Sequence, residues 1–287
     1  MTPRRRPAFS LVPYLSPARR GLLRLALLAG FLVALSAAIG ASRAGAEEVD
    51  VQLVLAADIS LSMDNEELRV QREAYAAAFR DRLVREAIRN GPAGRVAVAF
   101  VEWSGMGDGE QTLVVPWMVL SDDASAEAFA QAIEAAPVRR GRRTAIGDAL
   151  RFSAALFDIS GHTSPRRVID VSGDGTSNEG VLVTQARDEV VARGIVINGL
   201  PLVLDRTGTQ TVGTPDDPRV ITLEDYYEAC VIGGPGGFQI PVAAIEQMPR
   251  ALRAKLIIEI ADLSPPDRVL PAQAEGPPID CNGRFPF

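Results

Sequence analysis

The run Val49-Asp50-Val51-Gln52-Leu53-Val54-Leu55-Ala56-Ala57 followed by Asp58-Ile59-Ser60-Leu61-Ser62 decides the fold class and points to the chemistry. The first nine residues are apolar and β-branched enough to form a buried strand. An Asp-x-Ser-x-Ser string then begins where that strand should end. Two distant stretches complete the pattern. Thr144 stands in Gly141-Arg142-Arg143-Thr144-Ala145-Ile146, and Asp174 closes the run Val168-Ile169-Asp170-Val171-Ser172-Gly173. Asp58, Ser60, Ser62, Thr144 and Asp174 all carry side-chain oxygen, the donor that hard divalent cations prefer. In open parallel sheets, ligands collect beyond the carboxyl ends of strands, at the point where the strand order reverses. Both aspartates sit where that rule requires.

Hydrophobic periodicity sets the remaining elements around this frame. Asp64 to Glu67 opens a helix with Leu68, Tyr75, Phe79 and Leu83 on one face, and Gly91-Pro92-Ala93-Gly94 ends it. Stretches 95–103 and 111–120 read as a hairpin across a glycine-rich turn. Helices are expected over 125–136, from Thr144 with Ile146, Leu150, Ala154 and Phe157 on one stripe, over 181–193, over 223–232, and around Ile245, Met248, Leu252 and Leu256. Strands are expected over 195–203 and, briefly, over 238–242. Alternating strands and helices predict an α/β, doubly wound, mostly parallel sheet with one antiparallel edge strand and helices on both faces.

The order Asp-x-Ser-x-Ser, then Thr about 85 residues on, then Asp-Gly about 30 further, resembles the metal-ion-dependent adhesion site of von Willebrand factor A domains. The resemblance covers roughly residues 49 to 262. Tyr226-Tyr227-Glu228-Ala229-Cys230 and the following Val231-Ile232-Gly233-Gly234-Pro235-Gly236-Gly237-Phe238 are similar to a group of uncharacterised exported bacterial proteins carrying such a domain. The likeness implies that Ser60, Ser62 and Thr144 give hydroxyl oxygens to a Mg2+ ion, with Mn2+ and Ca2+ as alternatives. Asp58 and Asp174 would bind it directly or through water. Neutral hydroxyls leave much of the cation's charge uncompensated, so an open coordination position would take a carboxylate from a protein partner. One departure is Gly141-Arg142-Arg143-Thr144, where the family usually has Gly-Gly-Thr. Arg142 and Arg143 could clamp a partner's acidic group beside the cation, and a solvated loop is the plainer alternative.

Residues 1–46 hold seven arginines and no acid, an apolar core from Leu22 to Ala41, and Ala44-Gly45-Ala46 before two glutamates. This is the layout of a secretory signal peptide cleaved after Ala46. An uncleaved anchor is the competing reading, since about 20 apolar residues can span a bilayer. The chain has 30 basic and 36 acidic residues, so loss of those seven arginines would leave 23 against 36, a net charge of −13. So acidic a surface argues against nucleic acid and against anionic membranes as partners. A periplasmic or secreted location follows, with a single domain over 47–263 and a proline-rich tail over 264–287. Oligomeric state is not specified by these features. Cys230 and Cys281 are the only cysteines, and pairing is expected in an oxidising compartment.

The other motifs carry less. Gly233-Gly234-Pro235-Gly236-Gly237 lacks the Lys-Ser/Thr of a nucleotide loop and reads as a turn. His162 is the only histidine and reads as a surface loop residue, which removes hydrolase mechanisms built on a histidine base. The loop 205–218 is polar, with no further signal. The rival functions are a metal-dependent phosphotransfer enzyme with Asp58 as nucleophile and an envelope scaffold whose metal site is inactive. The first would need a second carboxylate two residues on, where this chain has Ser60, and a nearby lysine, whereas Lys255 falls in the last helix.

Overall fold

A computed structural model describes residues 46–204, 222–263, 279 and 281. The expected leader up to residue 45, the loop 205–218 and nearly all of the 264–287 tail lie outside the described residues. The elements are β1 (Glu47–Glu48), β2 (Gln52–Asp58), α1 (Asn65–Arg80), α2 (Arg82–Asn90), β3 (Val96–Trp103), β4 (Gln111–Leu120), α3 (Asp123–Ala135), α4 (Ile146–Leu156), β5 (His162–Thr163), β6 (Arg167–Gly173), α5 (Val183–Ala192), β7 (Val196–Pro201), α6 (Leu223–Tyr226) and α7 (Met248–Ala261).

Five strands form one sheet in the order β4-β3-β2-β6-β7. All neighbours run parallel except β3 and β4, which supply the antiparallel edge. The central strand β2 is buried along its whole length, as is β3, because both faces of the sheet are covered. Alternate residues divide between two cores. Leu53, Leu55, Phe100 and Leu200 pack under α1, α2, α3 and α7 on one face. Val54, Ala56, Val101, Trp103, Ile169 and Ile197 pack under α4, α5 and α6 on the other. The fold is the doubly wound one expected, with the order reversing between β2 and β6.

Several local expectations need correction. The helix expected to run unbroken from Asp64 to Gly91 is two helices. Asp81 adopts an extended conformation between them, and its side chain accepts from Leu83 N as the N-cap of α2. Leu83 is therefore 43% exposed instead of lining the core face. The strand expected over 238–242 is reduced to single bridges, Gly199 to Gln239 and Leu202 to Val242. The helix from Leu223 begins as α and continues as a π-helical turn, Tyr227–Val231. His162 lies in a two-residue parallel pairing of β5 with β1, not in a free loop. Cys230 and Cys281 are bonded, with Cα atoms 5.4 Å apart.

Candidate metal centre

The centre lies at the switch point, where β2 and β6 end side by side. Asp58 is the last residue of β2 and is wholly buried. Its Oδ1 accepts from Ser60 N at 2.7 Å, which folds the chain back over the strand end and aims the next two serines inward. Ser60 Oγ and Ser62 Oγ are 2.8 Å apart, and Ser62 Oγ donates to Asp174 Oδ1 at 2.6 Å. The loop is held from both sides. Gln71 Nε2 on α1 donates to Asp58 O at 2.8 Å, Ile59 N to Trp103 O at 2.8 Å, and Gly141 N to Ile59 O at 2.9 Å.

Thr144 is brought in by a second brace. Ala145 N donates to Ser104 O at 2.8 Å, while Thr144 N donates to Asn178 Oδ1 at 3.1 Å and Asn178 N returns to Thr144 O at 2.8 Å. This reciprocal pair ties the Thr144 loop to the Asp174 loop. Gly173 has a clear reason to be glycine: a Cβ there would lie 2.9 Å from the Tyr227 hydroxyl and 3.0 Å from Asp58 Oδ2. Tyr227 OH in turn points at Gly173 O, 3.5 Å away.

Ser60, Ser62, Thr144 and Asp174 line a cavity of about 300 Å³ with Leu61, Arg142, Gly175 and Asn178. Asp58 lies behind them, and its Oδ2 is buried with no hydrogen-bond partner. Two carboxylates without a counter-charge are costly in such a place. Burial, and then the neighbouring Asp174, push the Asp58 carboxyl well above the usual carboxylate range. Burial likewise raises Asp174. A divalent cation would relieve both effects, and the five oxygens suit it. Among the described residues no set of three or more His, Cys, Asp or Glu side chains is arranged to hold a metal; here hydroxyls would have to complete what two carboxylates begin.

Arginines in the 139–143 run have separate jobs. Arg139 donates to Gly109 O and Thr112 Oγ1, and Arg140 to the carbonyls of Leu61 and Met63, so both serve as loop braces. Arg142 alone of the four lines the cavity, whereas Arg143 packs by Gly105. Sequence reasoning did not single out Gln71, Asn178, Gly173 or Tyr227 as supports. A glutamine on an otherwise apolar helix face was the one signal open to it.

Residues 48–264 match the profile of a protein family of unknown function, DUF1194. The chain belongs to this family. No curated protein matches it. Among solved structures it is similar to the pilus adhesin SpaC from Lactobacillus rhamnosus GG, with 12% identity over 75% of this chain and 31% of that one and a TM-score of 0.52. It is also similar to proximal thread matrix protein 1 of the mussel byssus with a zinc-occupied MIDAS motif, with 19% identity, 75% and 48% coverage and a TM-score of 0.48. A third is a von Willebrand factor type A structure from Catenulispora acidiphila, with 15% identity, 74% and 43% coverage and a TM-score of 0.46. This DUF1194 chain spans about half the length of the mussel protein or less of the other two. At such an identity the likeness to the adhesin shows the fold alone, the doubly wound sheet described above.

Proposed function

We propose that this DUF1194 protein is an exported binding module. In this reading Ser60, Ser62 and Thr144 hold a Mg2+ ion through their hydroxyls, with Asp58 and Asp174 as direct or water-bridged ligands. A partner protein supplies a carboxylate at the coordination position facing the cavity, and Arg142 sits beside that entry. The reading is carried by one observation: three hydroxyl residues and two buried carboxylates from three loops converge, and one Asp58 oxygen has no partner. Export rests on the charged, apolar and small-residue segments of 1–46.

The phosphotransfer alternative fits less well. Asp58 is fully buried behind the cavity, its Oδ1 is bound by Ser60 N, and Lys255 is buried on α7. A nucleophile must reach its substrate.

Calorimetric titration of Mg2+ and Mn2+ into the metal-stripped protein, beside Asp58→Ala and Thr144→Ala, tests the proposal. Saturable binding to the parent and its loss in both variants is the expected outcome. A folded parent that binds neither ion would leave the scaffold reading in its place.

A further inference from the structure

Lys255 is the only lysine among 30 basic residues, and it is completely buried. The fold brings three polar side chains to it. Asp170 on β6 and Asn198 on β7 are register partners on adjacent parallel strands and face α7. Lys255 and Glu259 are one turn apart on α7. Lys255 Nζ lies 2.8 Å from Asp170 Oδ1 and donates to Glu259 Oε1. Asn198 Nδ2 also donates to Glu259 Oε1, at 2.8 Å, while its Oδ1 accepts from Phe238 N at 3.1 Å, which fixes the amide's orientation. The Phe238 ring covers the amine, its centroid 5.3 Å from Nζ.

As an ion cluster this arrangement is poor. Both Asp170 oxygens and Glu259 Oε2 are buried without a hydrogen bond of normal geometry, and a buried ionic group gains stability only when its remaining sites are satisfied. Arginine, which this chain uses everywhere else, has five donors for such a task. What lysine alone offers is a nucleophilic nitrogen, and desolvated lysines are nucleophiles.

We propose that Lys255 and Asp170 join in an intramolecular isopeptide bond between Nζ and Cγ, with Glu259 as the proton carrier. Cγ is one bond beyond an oxygen at 2.8 Å, close to the roughly 3–3.5 Å separation of a near-attack pair. A proton passes from the ammonium to Asp170, giving an amine and a carboxylic acid with no change in total charge. The amine attacks Cγ. Glu259 accepts the proton shed by nitrogen and delivers it to the departing Asp170 oxygen. A C–N bond replaces a C–O bond, one water leaves, and no electrons are exchanged. Burial keeps the Asp170 carboxyl above its ordinary range, and burial together with Asp170 lifts Glu259 to about 7, both favourable to this exchange. A cleft of about 50 Å³ reaches Asn198, Phe238 and Glu259 from solvent, which is room enough for the released water. The proposal is independent of the metal reading.

Peptide mapping of the reduced full-length protein tests it. Trypsin should not cut at Lys255, and peptide 168–187 should appear joined to peptide 254–268 at their summed mass less one water. Glu259→Gln should give the two regions separately, with cleavage restored at Lys255. A folded parent protein that yields free peptide 168–187 and cleaves at Lys255 overturns the proposal. So does a joined product that forms undiminished in Glu259→Gln, as far as the proton carrier is concerned.

Discussion

Asp58 and Asp174 illustrate how burial at a strand end stores a demand for positive charge. Both carboxyls titrate above their unfolded values, Asp58 because of burial and then Asp174, Asp174 because of burial. A raised carboxylate contributes stability that is complete below the unfolded pKa and disappears as pH rises through the folded one. The metal-free protein should therefore lose thermal stability as pH rises above the ordinary carboxylate range, about pH 4. Asp58→Asn should flatten that slope, and saturating Mg2+ should oppose it, because the cation binds the ionised forms. Thermal melts over that rise in pH check the point. An equal slope in parent and variant would mean that the Asp58 charge is not under strain. The five oxygen residues could be read from the chain because each stands beside a strand or helix boundary that hydrophobic pattern marks. Gln71 and Asn178 could not, since their partners are backbone atoms 13 and 34 residues away.

At the scale of elements, Asp81 is the position where the pattern misleads. Leu68, Tyr75, Phe79 and Leu83 keep helical spacing, yet the chain re-caps itself at Asp81, whose extended backbone interrupts the helix before α2. Period alone cannot report a cap that leaves the spacing intact. Asp81→Ala removes the hydrogen bond to Leu83 N and the ion pair with Arg253, which is 3.4 Å long and half-exposed. The loss of the cap should cost about 1 kcal/mol, seen as a fall of roughly 2–4 °C in Tm. An unchanged or higher Tm would show that the break between α1 and α2 is imposed by packing and not by the cap. The strands were more legible. β2 and β3 are covered on both faces and read as continuous apolar runs, whereas β4 at the edge is only half-buried.

For the whole molecule, the disulfide between Cys230 and Cys281 ties the π-helical turn to a residue 51 positions further on. Closing such a loop restricts the unfolded state by roughly 4 kcal/mol in the chain-entropy account. Cys281→Ser should lower Tm and the denaturant midpoint without changing Mg2+ binding, because the cysteines do not line the cavity at Ser60, Ser62 and Thr144. A parallel loss of Mg2+ affinity would show that Tyr227, one turn before Cys230, transmits the tether to Gly173. Sequence by itself determined the α/β class, the antiparallel edge, the five oxygen-bearing residues at strand and helix boundaries and the cysteine pair. Those features follow from period, strand-end position and local chemistry, all of which are written along the chain. Tertiary structure alone decided the strand order that sets Asp58 beside Asp174, the burial that raises their pKa values, and the meeting of Lys255 with Asp170 and Glu259. Such contacts depend on which strands become neighbours and on which face a helix covers, and neither is encoded in any local stretch of residues.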